Sequence, residues 1–261
     1  MQRRSEAGFS LLELAIVLVV LGALASSLLG PLQVQVESRD RAKTQTTLDD
    51  ARVALLGFAA VNGRLPCPDA DGDGWPDPSF DVAQKASATC LAPEGLLPWL
   101  ALAVPTLDAW GNRLRYRVNG PRFTWPDSDG LCNGNAQGEF DFCTTGEIGI
   151  RTRGDNPGTS AVESKFSYLV ADGVPAVVWS GGRNGTGLRA ANAGAVSALG
   201  PDEAANADGD ASFVFRGYSR AEGACTDDAT ETVPLCSFDD LGVWLSPYVL
   251  FEQLVAARRL P

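Results

Sequence analysis

The segment from Phe9 to Leu32 constrains this chain more than any other. Across its 24 residues Glu13 is the only ionisable side chain. At about 1.5 Å per residue it gives roughly 36 Å of helix, enough to cross a bilayer. Arg3 and Arg4 precede it against a single Glu6, a charge bias that predicts residues 1–8 inside the cytoplasm and everything after Pro31 facing outward. A carboxylate within such a segment is costly unless it is paired, so Glu13 needs a reason.

That reason comes from a resemblance. Gly8-Phe9-Ser10-Leu11-Leu12-Glu13, with a short basic leader before it and an unbroken apolar run after it, resembles the N-terminal signal of type IV pilins and type II secretion pseudopilins. The resemblance implies that prepilin peptidase cuts between Gly8 and Phe9 and that the new amino group of Phe9 is methylated. It also implies that Glu13, fifth in the mature chain, serves assembly. Its carboxylate would pair with the ammonium on Phe9 of a neighbouring subunit, where either charge alone is unfavourable in an apolar layer. Pro31 follows Gly30 one residue later than the family's usual helix proline. Two other readings of the segment exist. Ala23-Leu24-Ala25 before Ser26 has the form of a secretory cleavage site, and the segment could be a plain uncleaved anchor; neither gives Glu13 or the Gly8-Phe9 junction a role.

Composition narrows the function classes. The chain of 261 residues has 32 acidic against 21 basic side chains, which argues against a nucleic-acid surface. It has no histidine, which removes the commonest general base, the Ser-His-Asp arrangement and the usual zinc ligands. No serine or lysine stands beside a recognisable base, so no catalytic residues are assigned and the chain is not read as an enzyme. Cys67, Cys90, Cys132, Cys143, Cys225 and Cys236 form an even set without C-x-x-C, all beyond the apolar segment. Disulfides in an oxidising compartment account for them, and pairing of sequence neighbours is the simplest of the 15 connectivities.

Along the chain, no glycine or proline interrupts the residues between Pro31 and Gly57, and Leu48, Ala51, Leu55, Phe58 and Ala59 recur at three- and four-residue spacing. The spacing predicts that the helix continues into water with one face packed on a globular body, and Asn62-Gly63 with Pro66 beyond predicts its end. Asp69, Asp71, Asp73, Gly74 and Asp77 then match D-x-D-x-D-G-x-x-D, alternate carboxylates able to wrap a calcium ion around a sharp turn. The alternative is an acidic surface turn. Phe80 stands where an EF-hand would place its last glutamate, so the loop is not an EF-hand.

Leu114, Tyr116 and Val118 alternate with arginines and predict a strand, preceded by Asp108-Ala109-Trp110-Gly111-Asn112, which resembles the segment that opens the sheet of major pseudopilins. Further strands are expected at 146–151, 166–171, 175–180 and 212–216. Ser180-Gly181-Gly182-Arg183-Asn184-Gly185-Thr186-Gly187 has the look of a phosphate cradle but lacks the P-loop lysine and reads better as a turn. Asn206-Ala207-Asp208-Gly209-Asp210 is a weak second cation candidate, with a solvated turn the better reading. Phe238-Asp239-Asp240-Leu241-Gly242-Val243-Trp244 resembles the calcium-holding segment near the end of major pseudopilins, which implies a role for Asp239 or Asp240 in binding calcium. Ser246-Pro247 then opens a terminal helix with Leu250, Phe251, Leu254 and Val255 on one face.

The expected fold is α+β and pilin-like: a long N-terminal helix, half membrane span and half amphipathic, packed on one antiparallel sheet with large loops and a C-terminal helix. The expected organisation is a leader over 1–8, a transmembrane and filament-core helix over 9–32, and a periplasmic domain over 33–261. The expected function is that of a minor or tip subunit of a type IV pilus or secretion pseudopilus, anchored in the inner membrane or carried outward on a filament. Its partners would be prepilin peptidase and other pilin or pseudopilin subunits. A tip adhesin on a pilin stem and, less favoured without histidine, an anchored periplasmic enzyme are the readings from other classes.

Overall fold

The computed structural model of the chain describes residues 11–78, 90–120, 122–124, 144–153, 167–185, 200–221, 224–227 and 235–260. Two units are distinguished, Met1–Ala42 and Lys43–Pro261. In the first, the described chain is the opening part of α1 (Leu11–Asn62), whose backbone stays helical through Pro31. Side chains from Leu11 to Gly22 are exposed, among them Leu11 at 87% and Val19 at 72%. Among the described residues no helix is long and apolar enough to cross a membrane. The span expected over 9–32 lies partly outside them, since residues 9 and 10 and the side chains of 23–33 are not described.

The second unit is built on the rest of α1. Of the positions picked out by their spacing, Leu48, Ala51, Leu55 and Ala59 have no exposed surface and Phe58 is half-buried against the same core. A fully buried leucine contributes about 1.5–3 kcal/mol relative to an exposed one, so this stripe is what ties the helix to the sheet. The helix ends at Asn62 as its stop signal predicts: Gly63 takes φ +70°, and its N–H donates to Ala59 O at 2.7 Å.

Among the described residues the strands form two sheets. The first has the order β1 (Glu94–Leu96), β2 (Arg115–Val118), β5 (Ala176–Ser180), β7 (Leu241–Trp244), antiparallel throughout. The second has the order β4 (Ser167–Val174), β3 (Ile148–Arg153), β6 (Ser212–Val214), and its β3–β6 pair is parallel. The single antiparallel sheet expected from sequence is therefore corrected to two sheets. The reason lies in β5, buried at all five positions. Ala176 and Val178 belong to the core that contains Leu48, Leu55 and Tyr116, whereas Val177 and Trp179 belong to a second core with Ile148, Ile150 and Phe213. Successive side chains of a strand point to opposite faces, so an unbroken apolar run needs a layer on each side.

Strands β2 to β6 and the terminal helix follow their sequence signals with small shifts, whereas β1 and two short helices were not expected. Leu114, Tyr116 and Val118 are buried, and the intervening Arg115 and Arg117 pair with Glu94. A short helix α2 (Trp99–Leu102) and another, α3 (Pro201–Ala205), lie in the connections. The terminal helix α4 (Pro247–Ala256) buries Leu250 and Leu254 and packs Phe251 on the core, but Val255 is 41% exposed and Ser246 makes no side-chain cap. Beyond α4, the Arg259 guanidinium donates to the carbonyls of Ala60 and Val61 at the end of α1, acceptors that a helix end leaves unmet.

Candidate functional site

Two acidic clusters lie in the second unit, and their chemistry differs. The first is the loop after Cys67. Cys67 is joined to Cys90, as neighbour pairing predicts, and Asp69 bridges to Leu96 beside β1. Carboxylates of Asp69, Asp71 and Asp77 come within 4.8 Å of one another; Asp73 is not part of that group. Asp69 has no exposed surface, and its two oxygens accept from Gly72 N at 2.6 Å and Gly74 N at 2.8 Å. Asp77 accepts from Ala70 N and Asp71 N, Asp71 from Asp73 N, and Asp73 from Trp75 N. Burial raises the Asp69 carboxyl above its ordinary range, and the Gly72 and Gly74 amides pull it back. Glycine is required at 74, where φ is +92° and a Cβ would meet Trp99 at 2.6 Å. The turn is thus closed by its own amides, each aspartate taking at least one.

The second cluster gathers Glu203 from α3 with Asp239 and Asp240 from the approach to β7, again within 4.8 Å. Here Glu203 has no exposed surface and Asp240 only 2%. Glu203 accepts from Asp239 N at 2.9 Å, Asn184 Nδ2 at 2.8 Å and Gly200 N at 3.3 Å. Asp240 Oδ2 accepts from Asn206 Nδ2 at 2.8 Å, while Asp240 Oδ1 is buried with no hydrogen-bond partner among the described residues. Burial pushes the Asp240 carboxyl well up; Asn206 opposes this, and the neighbouring Glu203 and Asp239 add to it. Two buried carboxylates and a half-buried one meet here, and the buried Asp240 Oδ1 has no hydrogen-bond partner among the described residues, a donor set suited to a hard cation such as calcium.

The glycine-rich turn borders this pocket. Gly182 takes φ +60°, and the N–H groups of Arg183 and Asn184 donate to Asp239 Oδ2 at 3.2 and 3.3 Å. The anion this turn cradles is therefore the protein's own carboxylate. A Cβ on Gly182 would lie 2.2 Å from Asp239 Oδ1, so only glycine allows the approach. Asn112 holds the turn from behind, donating to Gly182 O at 2.6 Å, with Asp108 accepting from Ser180 Oγ at 2.6 Å. In the 206–210 stretch, Asp208 and Asp210 are exposed and accept local amides, as the turn reading expects. Asn206 instead points into the pocket.

Glu203 is the residue that sequence reasoning missed. Its signal was present in Gly200-Pro201-Asp202-Glu203, a helix start with an acidic first turn, but nothing local tied it to residues nearly forty positions later. Of the six cysteines, the structure joins Cys225 to Cys236 as well as Cys67 to Cys90, whereas Cys132 and Cys143 lie outside the described residues. The expected cleavage positions Gly8 and Phe9 also lie outside them; Glu13 stands in the first turn of α1. No curated protein and no solved structure matches the chain. Residues 3–29 match the family model described as the prokaryotic N-terminal methylation motif. This stretch takes in Gly8, Phe9 and Glu13, so the chain carries the prepilin signal that marks type IV pilins and pseudopilins.

Proposed function

We propose that the chain is a structural subunit of a type IV pilus or type II secretion pseudopilus, cut by prepilin peptidase after Gly8 and methylated on Phe9. The observation that carries this reading is the methylation motif over residues 3–29. The described part of the segment adds support, because its apolar side chains are exposed and need lipid or other subunits' helices to cover them. In this reading residues 9–32 span the inner membrane before assembly, and the domain that follows is periplasmic or displayed on a filament. The large connections favour a minor or tip position, where neighbours crowd the domain less than in a shaft. The role is assembly rather than catalysis, and no nucleic acid is a partner.

Calcium belongs to the proposal. Of the two clusters, the pocket of Glu203, Asp239 and Asp240 is the better candidate, because among the described residues Asp240 Oδ1 lacks the amide that the aspartates of the first loop have found. Assembly is tested with Glu13→Ala in cells that carry the assembly machine. Membrane insertion should persist, since it depends on apolar length, and incorporation into filaments should fall sharply, since it depends on charge pairing. Normal incorporation of the variant contradicts the role given to Glu13.

A further inference from the structure

We propose that the Cys225–Cys236 disulfide is a redox-operated latch on the acidic pocket: through Asp227 it fixes the start of α3, and α3 carries Glu203, so opening the bridge with a dithiol loosens the pocket. Only the consequence for calcium affinity rests on the calcium reading above.

The latch is a continuous chain of contacts. The bridge brings the two Cα atoms to 4.8 Å, with Cys225 exposed and Cys236 only 4% exposed. Two residues beyond Cys225, the buried Asp227 faces three donors. Its Oδ1 accepts from Cys236 N at 2.9 Å and Arg216 Nη2 at 3.2 Å, and its Oδ2 accepts from Asp202 N at 3.1 Å. That last bond anchors the first turn of α3. Asp202 itself is held by Arg153 on one side, through Nε at 2.7 Å, and by Arg216 on the other, also at 2.7 Å. Arg216 donates in addition to Cys236 O at 2.9 Å and lies 4.6 Å over the Phe238 ring.

The backbone before α3 rests directly on the same place. A Cβ at Gly200 would stand 2.7 Å from Ser237 O and 3.3 Å from Cys236 Cβ. Glu203 follows Asp202, and both of its oxygens are engaged, by Asp239 N on one and by Gly200 N and Asn184 Nδ2 on the other. A shift at the start of α3 is therefore a shift of Glu203 relative to Asp239 and Asp240. Without the bridge, residues 225–227 lose their covalent tie to Cys236, and where the hydrogen bonds of Asp227 then fail, the buried Arg216 loses one of its two carboxylates.

The opening step balances as ordinary thiol–disulfide exchange. A thiolate of the dithiol attacks Sγ of the exposed residue Cys225, the S–S bond breaks, and Cys236 leaves as a thiolate that takes a proton. The second thiolate of the reductant then attacks its own mixed disulfide and releases Cys225, which is protonated in turn. Two electrons and two protons pass from the dithiol, which becomes a cyclic disulfide, to the protein.

The test uses the full chain in detergent micelles and compares amide hydrogen exchange in wild type, in the Cys225→Ser/Cys236→Ser double variant and in Asp227→Asn with the bridge intact. The serine variant leaves the other cysteines untouched. Exchange at the Asp202 and Asp239 amides should rise by about tenfold or more in both variants, with Tyr116 and Val178 unchanged. Calcium affinity, followed by titration, should fall by about tenfold or more, as when partners that orient a metal ligand are removed. Faster exchange with no calcium binding by wild type leaves the latch standing and removes the calcium reading alone. Unchanged exchange at Asp202 and Asp239 overturns the latch, as does equal acceleration at Tyr116 and Val178.

Discussion

The loop over Asp69–Asp77 and the pocket of Glu203, Asp239 and Asp240 contain the same kind of side chain at similar mutual distances, yet they have reached different electrostatic states. In the loop the chain curls back so that amides of residues 70–75 meet the carboxylates within a few residues of sequence. In the pocket the carboxylates arrive from α3 and from the approach to β7. Asp239 is met by the glycine turn and Glu203 by Asn184 and two amides, but Asp240 Oδ1 has no hydrogen-bond partner among the described residues. Local folding can satisfy a local acidic motif by itself. A cluster assembled across the fold is satisfied only as far as its neighbours supply donors, and what is left over is where an ion is useful.

The largest effect expected from this contrast is at Asp69. Asp69→Ala removes a buried acceptor from two amides and should destabilise the domain by about 3 kcal/mol in chemical denaturation, with or without calcium. A loss that calcium enlarges would mean that the ion sits in the first loop after all. Next in size is the response of wild type to calcium itself, about 2.7 kcal/mol at a concentration one hundred times the dissociation constant. Thermal unfolding with calcium and with chelator should show this rise in wild type and in Asp71→Ala, and show none in Asp240→Asn. Loss of the rise in Asp71→Ala alone would reverse the ranking of the two clusters.

A smaller effect is the pH dependence of the calcium-free protein. The Asp240 carboxyl titrates higher in the folded state than in the unfolded chain, so folding takes up a proton there. Its contribution is complete below the unfolded value of about 3.9 and is lost as pH rises through the higher folded value. Stability in chelator should therefore decline from about pH 4 upward, and Asp240→Asn should flatten part of that decline. Asp69, whose shift has the same sign, contributes to the slope that remains. An undiminished slope in Asp240→Asn would deny the pocket its strained carboxylate. The smallest effect is at exposed Asp73, where Asp73→Ala should cost no more than about 0.5 kcal/mol.

Much of the fold was legible because its signals are local. The three- and four-residue spacing of Leu48, Ala51, Leu55 and Ala59 named the buried stripe of α1, and Asn62-Gly63 named its end. The alternation at Leu114, Tyr116 and Val118 named the buried face of β2. What escaped depends on contacts between distant segments. The parallel pairing of β6 with β3 needs a crossover, whose destination no local pattern encodes. The apolar run of β5 did carry the information that both its faces are covered, but not which strands cover them. The same limit governs the acidic pocket: Asp239 and Asp240 were marked by their motif, whereas Glu203, Asn184 and the Asp227–Arg216–Asp202 network have meaning only once the chain has folded.

Whether the N-terminal segment is a processed prepilin signal decides the rest, and intact mass measurement with N-terminal peptide sequencing tests it most directly. The protein is purified from membranes of cells that contain prepilin peptidase, in parallel with cells that lack it. The expected product begins at Phe9 and carries one methyl group on its amino nitrogen, with residues 1–8 retained when the peptidase is missing. A start at Ser26, or an intact Met1 in the presence of the peptidase, would contradict it.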